Sequence, residues 1–220
     1  LNCPVSTSQE LQALYERLLN MGTLVEHAVH ESVQSLQALD TSRAYAVIRS
    51  DTQIDILEME IEARSVHLLS LQRPSQMELR LITTVSKVIT DLERIADNAT
   101  NIAEVTVRFQ GQRHIKLPAD IGRMTDICNE MLHQSLQALI QRDQELARAV
   151  CKRDDEVDAL YVSVFEELVA IMERGGDHRR TAQCANLMFV ARFLERIADH
   201  STNICERVVY LVTGKRLRLG

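Results

Sequence analysis

The sequence predicts an all-α protein of six long helices arranged as two tandem three-helix bundles, and three observations carry that prediction. The first is composition. Seven Gly, three Pro, four Phe, four Tyr and no Trp stand among 220 residues rich in Leu, Ala, Glu, Arg and Gln, a mixture that makes long helices with few turns. The second is the recurrence of apolar residues at helical spacing through long stretches between turn signals. The third is internal repetition: "ERIADNATNIAE" (93–104) and "ERIADHSTNICE" (195–206) share nine of twelve positions, 102 residues apart.

Taken in order, the first helix is predicted over 8–39. It opens on Ser/Thr capping residues and places Leu11, Leu14, Leu18, Val25, Val29, Val33 and Leu36 on one face. Asp40-Thr41-Ser42 ends it and starts the second, 42–72. Arg73-Pro74-Ser75 breaks the chain before the third, 75–109, and Gly111 and Pro118 bracket the loop before the fourth, 119–141. The fifth is predicted as one continuous helix over 144–174, and Gly175-Gly176-Asp177 separates it from the sixth, 178–213. At about 1.5 Å per residue the longest exceeds about 45 Å.

Sliding the chain by 103 residues places Met21 on Met124, Leu36 on Leu139, Asp40 on Asp143, Val47 on Val150, Asp51 on Asp154 and Asp55 on Asp158; the third and sixth helices meet at 102. The one-residue change falls in a loop, where it is tolerated. The chain therefore reads as a duplicated three-helix unit, 6–110 and 118–214. Short links favour antiparallel neighbours, so each unit is expected to run up, down and up, with the two packed side by side.

Composition also excludes classes. The formal net charge is −6 and no Lys/Arg block interleaves with aromatics, which sets nucleic-acid binding aside. The five cysteines are scattered and never form a C-x-x-C pair, so neither a disulfide framework nor a zinc knuckle is signalled, as suits a reducing cytosol. No apolar run approaches the roughly 18–20 residues that span a bilayer, and there is no basic-then-apolar leader. A cytoplasmic protein that is not integral to the membrane is expected.

The polar residues of the repeated segment carry the chemistry. Glu93, Asp97, Asn101 and Glu104 fall within about 80° on one helix, bordering the core face, and Glu195, Asp199, Asn203 and Glu206 repeat them. The middle helices supply Asp51 and Asp55, matched by Asp154 and Asp158. Glu58 and Glu62 extend the first of these stripes, where the second has Tyr161 and Phe165. Antiparallel neighbours can bring the stripes face to face. Four carboxylates at a core border need compensation by protons, by Lys/Arg or by a cation, because each raises the pKa of the others. No Lys or Arg shared by both units lies inside the stripe, although Arg94 and Arg196 stand beside it. An all-oxygen set suits hard cations such as Mg²⁺, Mn²⁺, Ca²⁺ or iron. An isolated E-x-x-x-D is ordinarily a solvated helix face; its duplication favours metal.

These segments resemble the PhoU family of phosphate-signalling regulators, through "LERIADNATNIAE", "FLERIADHSTNICE", "RPSQMELR", "DTQIDILEMEIE" and "ERVVYLVTGK". The resemblance covers nearly the whole chain. It implies a six-helix fold of two repeats, with multinuclear clusters, often iron or zinc, on the E/D-x-x-x-D motifs, here Asp51/Asp55, Glu93/Asp97, Asp154/Asp158 and Glu195/Asp199. It further implies a non-enzymatic cytoplasmic regulator of transcriptional signalling that, when phosphate is plentiful, holds down the phosphate-specific ABC transporter, through its ATPase subunit, and a linked sensor histidine kinase. A homodimer is compatible with it.

Other residues have plainer readings. His27, His67, His114 and His178 lack a counterpart in the other repeat and read as surface or boundary residues. His30 and His133 correspond and read as boundary residues, while His200 beside Asp199 is a minor candidate ligand. Cys205 reads as small buried packing and the 215–218 basic tail as a helix end beyond a Gly214 cap. A ferritin-like di-metal oxidase wants two E-x-x-H motifs, and only Glu130/His133 supplies one. A metal-free acidic docking surface for a basic partner helix is a further alternative. Direct phosphate sensing has no support in sequence: there is no Gly-rich phosphate loop and no evident Arg cluster.

Overall fold

A computed structural model describes residues 7–71, 74–112, 115–175 and 177–219. Helices α1 (Thr7–Ala38), α2 (Thr41–Leu71) and α3 (Gln76–Arg108) form the first unit; α4 (Ala119–Gln141), α5 (Gln144–Cys151), α6 (Asp154–Glu173) and α7 (His178–Thr213) form the second. No strand occurs among the described residues. Arg73 and Gly176, two of the predicted breaks, and His114 lie outside the described residues, as does position 6, where the first unit is expected to begin.

The helix ends follow local chemistry. Ser75 and Glu78 form a capping box at the start of α3: the Glu78 N–H donates to Ser75 Oγ at 3.3 Å and the Ser75 N–H to Glu78 Oε2 at 2.7 Å. Asp143 Oδ1 accepts from the N–H groups of Glu145 and Leu146 at 2.9 and 3.0 Å, and Asp177 caps α7 through the Arg180 N–H at 2.9 Å. The duplication is visible in backbone geometry. Leu39 and Arg142, 103 residues apart, both sit in the left-handed region (φ 55° and 53°), each followed by a capping aspartate.

One predicted element differs. The helix expected over 144–174 is broken at Lys152-Arg153, where the Arg153 N–H turns back to the Val150 carbonyl at 3.0 Å in place of the usual i−4 partner. Two interactions favour the break. The Arg153 guanidinium is drawn to Glu130 at 2.7 Å, and Asp154, Asp155 and Glu156 gain the first turn of a new helix, where the dipole stabilises negative charge. Asp154 thus stands at a helix start; its counterpart Asp51 lies inside unbroken α2.

The apolar stripes close into one core. Leu14, Leu18, Met21, Ile54, Ile61, Ile89, Leu92, Ile95 and Ile102 from the first unit join Ile121, Met124, Leu132, Val157, Leu194, Ile197 and Ile204 from the second, all at 0–1% exposure. The units meet chiefly along α3 and α7, with α1 against α4 beside them. There the Tyr15 hydroxyl donates to the Leu139 carbonyl at 3.1 Å, and a Cβ on Gly22 would come within 2.6 Å of Leu136 Cδ1, so α1 and α4 approach closely at that glycine.

Candidate metal centres

Each unit brings its middle and third helices together so that the two stripes share one solvent-facing groove. In the first, burial pushes Glu93 up to about 7, with Asp97, Glu58 and Asp55 adding to the rise and Arg94 opposing it. Asp51 is raised by burial and by Asp55 and Asp97, with the Thr100 hydroxyl opposing, and Glu58 is raised mainly by burial. In the second, burial and then Asp199, Asp158 and Glu195 push Asp154 up to about 6. Glu195 and Asp199 are raised by burial and by repulsion among Asp158, Asp199 and Glu195. The eight predicted carboxylates thus gather into two pads, one per repeat.

Their cationic neighbours differ. Arg94 bridges Glu93 and Asp97 at 3.3 and 3.1 Å. In the second pad the ion pair to Glu195 comes from Arg192, whereas Arg196 makes none among the described residues and acts on Glu195 only at longer range. Arg192 escapes sequence reasoning because Thr90 holds its place in the first repeat. Among the described residues, no three of His, Cys, Asp and Glu close on a common point as they stand. The donor set nevertheless fits a hard cation: the oxygens accept only, they repel one another, and Glu195 Oε2 is buried without any partner. Asp51, Asp55, Glu93 and Asp97 would hold it in one pad, and Asp154, Asp158, Glu195 and Asp199 in the other.

The two asparagines spend their amide N–H groups outside the pads, although Asn203 lines the same cleft as Asp154 and Asp199. The Asn101 side-chain amide donates to the Asp97 backbone carbonyl at 2.8 Å, and that of Asn203 to Asp91 Oδ1 at 3.2 Å. His200 Nδ1 stands 3.0 Å from the same Asp91 oxygen. Asp91, which periodicity did not single out, therefore ties α3 to α7 across the unit boundary. Of the other histidines, His27, His30, His67, His133 and His178 are exposed, and Cys205 is fully buried. The lone E-x-x-H points elsewhere: Glu130 pairs with Arg153 and His133 with Glu26. Tyr161 and Phe165, in place of Glu58 and Glu62, lie tilted against each other at 42° with centroids 6.4 Å apart. The second pad therefore carries fewer acidic groups than the first.

The raised carboxyls have a consequence for stability. A carboxyl whose pKa rises on folding keeps its proton in the folded chain after the unfolded chain has lost it. It therefore adds stability that is full below its unfolded pKa and is lost as pH rises from there through the folded value. For Glu93 and Asp154 the loss falls through about 7 and about 6. The metal-free protein should melt a few degrees lower at about pH 8 than at about pH 5.5. That corresponds to on the order of 1 kcal/mol once solvent screening of these part-exposed groups is allowed for. Thermal melts across that range check this; a melting temperature that rises with pH would contradict it.

A duplicated antiparallel three-helix unit with one carboxylate pad per repeat defines the class: a tandem-repeat, all-α protein whose distinctive chemistry lies in open grooves. The chain belongs to the PhoU family, whose domain model matches residues 18–106 and 121–208. It is 38% identical over 212 residues to a phosphate-specific transport system accessory protein PhoU homolog of Clostridium acetobutylicum, covering 96% of each chain. Against the homolog of that name from Aquifex aeolicus it is 36% identical, covering 94% of this chain and 93% of the other. The crystal structure of PhoU from Pseudomonas aeruginosa superposes with a TM-score of 0.90 at 33% identity, covering 96% of this chain and all of that one. That of the phosphate transport system regulatory protein PhoU from Streptococcus pneumoniae gives 0.89 at 25%, covering 96% and 99%.

Proposed function

We propose that this protein is a cytoplasmic, non-catalytic regulator of phosphate uptake. When phosphate is plentiful it holds down a phosphate-specific ABC transporter and the sensor histidine kinase linked to it, with metal ions on its two acidic pads. The observation that carries this reading is full-length similarity to relatives named as phosphate-specific transport accessory proteins. Two features agree with it. The carboxylates lie in open grooves, as docking requires, and no described helix is long and apolar enough to cross a membrane.

The role of the metal follows from the electrostatics. Eight carboxylates crowd the two pads, and burial and mutual repulsion raise the pKa of Asp51, Glu93, Asp154, Glu195 and Asp199 among them. A bound cation neutralises the pads and fixes their side chains, which lowers the entropy lost when a partner docks. Asn101 and Asn203 use their amide N–H groups elsewhere, which leaves their side-chain carbonyl oxygens free to join the ligands. Metal binding also requires deprotonation, so affinity should rise with pH through the window set by Glu93 and Asp154.

The test is a pull-down or titration with the transporter's ATPase subunit and the kinase's cytoplasmic portion, run with divalent metal and again on metal-free protein. Binding that depends on the cation is expected. If neither partner binds in either condition, the regulatory reading fails; if both bind equally without metal, the coupling lies elsewhere on the bundle.

A further inference from the structure

A second charged feature lies where α7 meets the segment that follows it. Gly214, at φ 70°, caps α7 and turns the chain, and 215–219 folds back along the helix. The Lys215 N–H donates to Thr213 Oγ1 at 3.1 Å and the Leu219 N–H to Glu206 Oε1 at 2.9 Å. This return sets Arg216 and Arg218 against Arg196 and Arg207 of α7 around a cleft of ≈ 830 Å³. Arg207 and Arg216 also wall a smaller cleft of ≈ 270 Å³, to which α3 contributes Thr84 and Lys87. Sequence inspection found no Arg cluster because its members come from two turns of a helix far apart and a tail whose path only the fold sets.

Three further observations make this a built site. None of Lys87, Arg196, Arg207, Arg216 and Arg218 forms an ion pair among the described residues. The hydroxyls of Thr84 (1% exposed) and Thr202 (6%), one in each cleft wall, are buried without a hydrogen-bond partner, as is Arg207 Nε. Three carboxylates also line the larger cleft: Glu206, which accepts from the Leu219 N–H, and Asp154 and Asp199 of the acidic pad, of which Asp199 draws on Arg196, so the cations least offset are Arg207, Arg216 and Arg218. The first repeat has no equivalent, since Val105 stands at the position of Arg207 and is buried.

We propose that the paired clefts seat a phosphate-type oxyanion, with Arg207 and Arg216 at the centre and Lys87, Arg196 and Arg218 around it. Guanidinium forks match the geometry of phosphoryl oxygens and bind them in a bidentate manner. Arg196 and Arg207 lie eleven residues apart on one face of α7, about 16 Å along the axis, so a chain of phosphoryl groups satisfies more of the site than a single one. The larger cleft is lined by His200 but by no Phe or Tyr, and Tyr210 lines the smaller one, so the guanidinium groups outnumber the rings and the phosphates carry most of the recognition. Inorganic diphosphate and the phosphoryl chain of a nucleotide share this chemistry. The cleft shares Asp154 and Asp199 with the second acidic pad, but its anion binding is read on metal-free protein without a partner, so this proposal and the regulatory reading fail in different experiments.

The test is isothermal titration of the metal-free full chain, at fixed ionic strength, with orthophosphate, diphosphate and ATP. Diphosphate should bind about tenfold or more tightly than orthophosphate, and the R207Q/R216Q variant should weaken it by about tenfold or more, since charge-assisted bidentate contacts are the strong ones. Arg218→Gln, in the tail and outside every helix, should weaken it several-fold without touching the bundle, with circular dichroism confirming helicity in each case. The R174Q/R180Q variant, whose second site lies about 40 Å from Arg207 along α7, should leave binding unchanged. ATP matching diphosphate assigns the nucleotide as the source, and diphosphate alone assigns the inorganic ion; either supports the seat. Absence of binding by all three anions, indifference to R207Q/R216Q, or loss only in R174Q/R180Q overturns it.

Discussion

Replacing Asp97 and Asp199 together by Asn is expected to strip divalent metal from the protein while leaving its helicity intact. Asn keeps the size of Asp but removes the charge, and each substitution takes one carboxylate from a pad of mutually repelling groups. A ligand lost from the inner sphere should cost affinity by about two orders of magnitude or more, beyond the roughly 10–100-fold typical of outer-sphere partners. Folding should not suffer, because the bundle is held by buried apolar residues. Relief of repulsion should in fact raise the melting temperature of the metal-free variant at neutral pH. Elemental analysis and circular dichroism on the same sample decide it, and metal content equal to that of the parent would remove these residues from the ligand set.

Leu92→Ala and Leu194→Ala, at equivalent places one residue before Glu93 and Glu195, should each destabilise the protein by about 3 kcal/mol. Both leucines are 0% exposed, and truncation of such a residue loses its transfer free energy and leaves a cavity. For a chain of this length the melting temperature should fall by about 6–12 °C. The transition should remain single for both variants, because the two units share one continuous core along α3 and α7. Calorimetry resolving two transitions, with Leu92→Ala shifting only one of them, would show that the repeats fold independently.

Much of the candidate site was legible in advance because a helix imposes its own geometry. Steps of three and four residues placed Glu93, Asp97, Asn101 and Glu104 on one line, and the second copy confirmed the register. Of the carboxylates that periodicity aligned, Glu93, Glu195 and Asp199 have raised pKa values in the fold, whereas Glu104 pairs with Arg108 and Glu206 accepts from Leu219. What escaped notice depends on contacts between elements. Arg192 reaches Glu195 from the preceding turn with no counterpart in the first repeat. Asp91 pairs with His200 and Asn203 over 109 and 112 residues of sequence, so Asn203, predicted as a ligand, is held at the unit boundary by its amide.

The sequence by itself determined the helical class, the duplication, the helix ends to within a residue or two except for the break at Lys152-Arg153, and the two acidic stripes. Each of these is written in local spacing, capping residues and repetition, and local rules need no knowledge of what packs against what. Tertiary structure decided where the fifth predicted helix breaks, because that depends on Arg153 meeting Glu130 from α4. It decided that α3 and α7 lie together in one shared core, and that the 215–219 return brings Arg216 and Arg218 to Arg207. The physical reason is the same in each case. Helix periodicity fixes the face on which a side chain lies, whereas its partner is chosen by the free energy of burying the whole apolar surface at once.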